Sequence, residues 1–163
     1  MLEIKETTIE DLENIRRLWA DGDVMHFVGF PDGLQKTDGE MRDWYRWIAS
    51  RRPEINHYCI FEDGVYCGET FYEIDRKHGS RAALDIKLLR FARGRGIAAA
   101  ALSHAIREAF ANGASAVWVD PVPQNAKAIA LYERLGFQRK DMPKHLLSES
   151  EAPTSIYLEL CRK

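Results

Sequence analysis

Arg93-Gly94-Arg95-Gly96-Ile97-Ala98 lies between an apolar run that ends at Leu89 and an alanine-rich stretch that opens at Ile97. A strand, a glycine turn and a helix in that order leave a row of free backbone N–H groups at the positive end of the helix dipole. That arrangement binds phosphate. The spacing Gly94-x-Gly96-x-x-Ala99 also fits a dinucleotide fingerprint, and Asp120 closes the next strand about 20 residues later, where a ribose-binding acid would stand. Three features weigh against that reading. The turn comes late in the chain, the strands before it form an antiparallel meander, and Arg90 and Arg93 precede the first glycine where an apolar strand is expected. A P-loop is excluded, because no Gly-Lys-Ser/Thr follows.

Working outward from the turn, Leu2–Glu6 alternates as a first strand, and Thr8 with Asp11 opens a helix through Ile9, Leu12, Ile15, Leu18 and Trp19. Asp21 to Lys36 holds three Gly and one Pro and is expected to be a loop. Thr37 and Glu40 form a second capping box for a helix carrying Met41, Trp44, Trp47 and Ile48. His57–Glu62 and Val65–Ile74 are strands joined at Asp63-Gly64, a strong hairpin signal. Ala83–Leu89 is a strand, Ile97–Ala111 a helix stopped by Asn112-Gly113, and Ala116–Val119 a short apolar strand of the kind buried on both faces. Asn125–Leu135 is a helix closed by Gly136; Phe137–Lys140 and Ile156–Leu160 are closing strands with a polar loop between them. This order predicts a single α/β (α+β) domain over residues 1–163. Its mixed, mostly antiparallel central sheet has about seven strands, with helices on both faces.

The bulk numbers fit that picture. The chain has 163 residues, 45% hydrophobic and 29% charged, with a formal net charge of −2. Such a balance gives no reason to expect nucleic acid or an anionic membrane as partner. No apolar run reaches the roughly 20 residues of a membrane span, and the N-terminus has no signal-peptide core. Cys59, Cys67 and Cys161 share no metal-like spacing and are expected to be reduced thiols of a cytoplasmic protein. The scattered histidines suggest no metal site.

A second pattern extends the first. Arg93-x-x-Gly96-x-Ala98 resembles the acetyl-CoA-binding motif of the GCN5-related N-acetyltransferase family. Asp120-Pro121-Val122-Pro123-Gln124-Asn125, followed by Ala128 to Phe137 with its Tyr132-Glu133-x-x-Gly136-Phe137, resembles the family's second signature. The likeness covers residues 83–140 strongly. Within the family it is similar to the aminoglycoside 6′-N-acetyltransferase and ribosomal-protein N-acetyltransferase branch.

The resemblance implies acetyl-CoA as co-substrate and no metal. Backbone groups of Gly94, Arg95, Gly96, Ile97 and Ala98 would hold the diphosphate, with charge from Arg93 and Arg95. Ile86, Lys87 and Leu88 would pair with the pantetheine arm, and the Leu88 N–H would face the thioester carbonyl. Asn125 would cap its helix or bond the pantetheine amide. Tyr132 would be the general acid. Asp85, an acid in mid-strand among apolar residues, would serve as base or hold the amine, unless it is only an ion-pair partner of Lys87 or of an arginine on a neighbouring strand. His26, Glu69 and Asp120, with Glu73, Trp44 and Trp47 nearby, would line the acceptor side. The acceptor implied is a small cationic amine or a protein N-terminus, attacking the thioester directly in a ternary complex. A non-catalytic CoA-binding module on the same fold is the alternative. A homodimer through the terminal strands is compatible with this order.

Overall fold

A computed structural model describes residues 1–147 and 154–163. Seven strands form one sheet: β1 (Leu2–Glu6), β2 (Ile55–Glu62), β3 (Val65–Asp75), β4 (Arg81–Leu88), β5 (Ala116–Val119), β6 (Gln138–Arg139) and β7 (Leu158–Cys161). Their order is β1-β2-β3-β4-β5-β7-β6, with every pairing antiparallel except β4 with β5. Five helices cover it: α1 (Leu12–Ala20), α2 (Gly22–Met25), α3 (Asp38–Ser50), α4 (Ile97–Ala111) and α5 (Ala126–Arg134).

The β2–β3 turn is built as its sequence demands: Asp63 and Gly64 take φ of 50° and 78°, the two positive values a type I′ turn needs. Both predicted capping boxes form, Thr8 with Asp11 and Thr37 with Glu40. The first opens a short 3₁₀ turn rather than the helix proper, so Ile9 is left exposed and only Leu12, Ile15 and Leu18 are buried. The expected loop from Asp21 to Lys36 contains α2, because Asp21 turns its side chain onto the Asp23 N–H and starts a helical turn that buries Val24 and Met25. The polar stretch before β7 contains a 3₁₀ turn at Lys144–Leu146; its residues 148–153 lie outside the described residues.

Strand alternation sends the two faces of the sheet to different helices. On one face Tyr72, Ile74, Ala82 and Leu84 pack with Leu102, Ala105 and Ala109 of α4 and with Tyr132 of α5. On the other, Cys59 packs with Leu12 and Ile15 of α1 and Met41 of α3. α4 can lie close to the sheet because its buried face is largely alanine.

The departure from a regular sheet lies between β4 and β5. The two strands pair in parallel only from Arg81 with Ala116 to Ala83 with Trp118. β5 then ends and the chain enters Asp120-Pro121-Val122-Pro123, whose prolines lack the N–H groups a ladder needs. β4 continues to Leu88 with β3 on its other side. Its edge from Leu84 to Leu88, about 16 Å at strand rise, therefore borders an opening instead of a strand.

Candidate active site

The opening is a cleft of ≈ 840 Å³, walled by β4 from Leu84 to Leu88, by the chain from Val119 to Asn125, by the first turns of α5, and by α2 with His26 and Phe27. Backbone groups line one wall. The Ser80 carbonyl accepts from Ser115 N–H across the β5 side, whereas Leu89 N–H donates to the Cys67 carbonyl on the β3 side. Since successive residues of a strand alternate sides, the N–H and C=O of Ile86 and Leu88 point to the cleft side, where Asp85 Oδ1 already holds the Ile86 N–H and Arg93 the Leu88 carbonyl, while those of Lys87 face β3. Of the three residues expected to present backbone to a ligand, Lys87 is thus corrected. It contributes its side chain instead.

At the end of that wall the glycine turn leads into α4. Gly94 and Gly96 have φ of 72° and 80°, a region closed to most residues, and a Cβ at either would meet nothing within 4 Å. Gly96 is the N-cap of α4 and has no side chain to cap it, so the first N–H groups, from Ile97 to Ala99, have no intrahelical partner. Arg93 and Arg95 are not loose charges beside this turn. Arg93 donates to the Leu88 carbonyl at 3.0 and 3.1 Å and pairs with Asp23 at 3.1 Å, tying the end of β4 to α2. Arg95 pairs with Glu62 at the end of β2. The local pull on an anion therefore comes mainly from backbone dipoles.

Tyr132 reaches the cleft from α5. It is 6% exposed and packs on Phe137 at 5.7 Å, and its hydroxyl makes no hydrogen bond to another described residue. Burial, with the charges of Asp85 and Asp120, pushes its phenol above the usual tyrosine value, so it holds its proton throughout the neutral range. Burial and Asp85 likewise push the Asp120 carboxyl up. Asn125 caps α5, its Oδ1 accepting from Ala128 N–H at 3.3 Å. His26 is exposed on the cleft wall, its Nδ1 3.0 Å from the Asp23 carbonyl.

Asp85 and Lys87 stand on the other sheet face and join a buried chain of polar groups. Asp85 Oδ1 accepts from Ile86 N–H at 2.8 Å and its Oδ2 pairs with the Lys87 ammonium. Lys87 is 3.5 Å from Glu69, whose carboxylate also meets His57 Nε2 at 2.9 Å and Trp19 Nε1 at 3.0 Å. His57 Nδ1 meets Thr7 Oγ1 at 2.6 Å. Burial alone would raise Glu69, but His57, Lys87 and Trp19 outweigh it and hold the carboxyl well below the usual range. Burial likewise works against the Lys87 ammonium, yet Asp85 and Glu69 keep its pKa above the usual lysine value.

Glu69 borders a small pocket with Trp19, Trp44, Trp47 and Phe71, although it is 2% exposed and its oxygens are engaged by His57, Trp19 and Lys87. The free acid on this face is Glu73, beside the same pocket of ≈ 190 Å³. Lys87 lines both this pocket and the cleft. Trp19 and His57 are the members the sequence reading missed. His57 stood at the start of its predicted strand, and only the structure, whose β2 begins at Ile55, places it inside the strand.

Residues 13–137 match the family model described as the acetyltransferase (GNAT) family. The chain belongs to that family. GNAT acetyltransferases are N-acetyltransferases, and solved structures of the same fold carry the comparison over nearly the whole chain. An acetyltransferase of the GNAT family from Streptococcus pneumoniae superposes with a TM-score of 0.81 at 18% identity, covering 99% of each chain. Spermidine N-acetyltransferase from Vibrio cholerae, in complex with CoA and spermine, does so with a TM-score of 0.79 at 17% identity, covering 98% of this chain and 95% of that one. Ribosomal-protein-alanine N-acetyltransferase from Brucella melitensis gives 0.74 at 19%, covering 98% and 99%. A comparison with curated proteins finds no match. Among the described residues of this GNAT chain, no helix is long and apolar enough to cross a membrane.

Proposed function

We propose that this GNAT acetyltransferase moves the acetyl group of acetyl-CoA onto a small cationic amine by direct attack in a ternary complex. The observation that carries the reading is the meeting, in one cleft, of an uncapped glycine-led helix N-terminus, the open backbone edge of β4 and the buried phenol of Tyr132. These parts fit acetyl-CoA. The turn from Gly94 to Ala98 suits a diphosphate, and the Ile86 carbonyl on the open edge suits an amide N–H of a pantetheine arm. Acetyl-CoA, when bound there, supplies an acyl group activated as a thioester.

The chain's own residues do the rest. Leu88 N–H, its carbonyl being already taken by Arg93, donates to the thioester oxygen as negative charge grows on it. The neutral amine nitrogen forms the new bond to the carbonyl carbon, the carbon–sulfur bond breaks, Tyr132 gives its proton to the departing sulfur, and the surplus proton on the nitrogen returns through water to the phenolate. A raised phenol pKa does not spoil this transfer, because the same dry site raises the pKa of the thiol. Asp85, with both oxygens engaged, orients the incoming ammonium, and water carries away its proton. The three tryptophans, Phe71 and Glu73 favour a cationic acceptor through ring faces and charge.

Calorimetric titration with acetyl-CoA, beside NAD and S-adenosylmethionine, tests the cleft: micromolar binding of acetyl-CoA alone is expected, and binding of NAD instead would overturn the assignment. Initial rates over both substrates then test the mechanism. Intersecting double-reciprocal lines are expected with polyamines, whereas parallel lines would mean a covalent acyl-enzyme. Activity only on alanine-ended peptides would move the acceptor to a protein N-terminus. Absence of turnover on either panel would leave a CoA-binding module.

A further inference from the structure

Fold brings together three metal-ligating side chains that lie far apart in sequence. Asp75 ends β3, His78 lies in the 3₁₀ turn Arg76–His78, and His145 comes from the turn Lys144–Leu146 before β7. One ligand atom from each lies within 4.8 Å of the other two. The two imidazoles stack face to face, 3.9 Å between centroids and 3° from parallel. Asp75 Oδ2 meets His78 Nδ1 at 2.6 Å, so these two side chains already converge. His145 makes no hydrogen bond to another described residue, and both histidines are exposed.

We propose that Asp75, His78 and His145 form a surface site for a divalent transition-metal ion. The donor set decides the class. Two imidazoles and one carboxylate suit Zn²⁺, Ni²⁺ or Cu²⁺, whereas Mg²⁺ and Ca²⁺ want oxygen throughout. In tetrahedral zinc the ligand atoms stand about 3.3 Å apart, from bond lengths near 2.0–2.1 Å. Because a metal lies in the plane of each imidazole that binds it, the two exposed histidines must swing out of their parallel stack to share the ion.

Two of the neighbouring cations are engaged elsewhere. Arg76 is turned onto Glu54 and the carbonyls of Asn112 and Gly113, and Arg81 pairs with Glu159. Arg51 and Lys77 also line the hollow, and the Lys77 backbone N–H donates to Asp75 Oδ1. The ion would clasp the segment before β7 to the β3–β4 turn. The hollow beside it, ≈ 490 Å³, shares Glu73 with the tryptophan pocket, so the clasp would shape the far rim of the acceptor face. The inference does not depend on acetyl transfer.

The test uses the full chain with Cys161→Ser, which removes the exposed thiol. Zn²⁺ is titrated in competition with a chromophoric chelator, and one equivalent is expected to bind. His78→Ala and His145→Ala should each weaken it at least about tenfold, and the double variant should abolish it. A trace of Cu²⁺ added to the protein with both histidines present should broaden the imidazole NMR signals of His78 and His145 before those of His26, His57 and His104. Zn²⁺ binding weaker than about 100 µM, binding that survives the double substitution, or broadening centred on other histidines would overturn the proposal.

Discussion

Replacing Glu69 by Gln probes the buried chain that holds Asp85. The substitution keeps the shape and an acceptor for Trp19 Nε1, and removes the charge facing His57 and Lys87. Lys87 keeps Asp85 as partner, so the loss is that of one arm of the chain. Two routes to the magnitude agree. The carboxyl falls from 4.5 to about 2 in the fold, and at about 1.4 kcal/mol for each tenfold change in proton affinity this corresponds to about 3 kcal/mol. Breaking a buried ion pair from one side costs about 3–5 kcal/mol, and the retained Asp85 places this case at the low end. With a urea slope of about 2 kcal/mol per molar, the midpoint should drop by about 1.5 M at pH 7.

The pH dependence has a definite sign. A carboxylate whose pKa is lower folded than unfolded stabilises the fold above its unfolded value of 4.5, and that contribution is lost as pH falls from there towards about 2. The gap between the native chain and Glu69→Gln should therefore be full at pH 7 and narrow at pH 3. Tryptophan fluorescence follows the unfolding, with Trp19 and Trp44 packed 4.9 Å apart beside the substituted group. A midpoint shift under about 0.3 M, or a gap as wide at pH 3 as at pH 7, would refute the account of Glu69 as an ionised anchor.

Other substitutions test the proposed chemistry. Tyr132→Phe should lower kcat by about 10²-fold with acetyl-CoA affinity unchanged in titration; undiminished turnover would remove it as the acid. Gly96→Trp should leave the circular dichroism spectrum intact. It should weaken acetyl-CoA binding about a hundredfold, the loss of two charge-assisted hydrogen bonds at about 1.5 kcal/mol each; retained affinity would place the diphosphate elsewhere. Asp85→Asn should raise the acceptor KM about tenfold without changing acetyl-CoA binding, and native kinetics would leave Asp85 a structural partner of Lys87. Gly68→Ala should destabilise the fold in thermal melts, since a Cβ there runs into the Lys87 carbonyl; an unchanged melting point would show that the strands can separate.

Local chemistry made much of the chain legible. Asp63-Gly64, the Thr37–Glu40 box, Gly96 ahead of Ile97 and Asn125 ahead of Ala126 each act within a few residues, so their turns and caps follow from sequence alone. The two motifs around Gly96 and Tyr132 pointed to the same cleft for the same reason: each shapes backbone next to itself.

What the tertiary structure decided is which partners the charged side chains find. Mid-strand placement marked Asp85 as unusual, but only the β2–β3–β4 register puts His57 opposite Phe71 and Lys87 opposite Glu69, and only the packing of α1 brings Trp19 onto that carboxylate. Arg93 carries the sequence signature of a phosphate binder, yet the end of β4 and α2 converge on its guanidinium. The histidines looked scattered because His78 and His145 are separated along the chain, and they face each other only once β7 has joined the sheet beside β5. Backbone conformation answers to near neighbours, whereas a long charged side chain answers to whatever opposite charge the fold brings within a few ångströms.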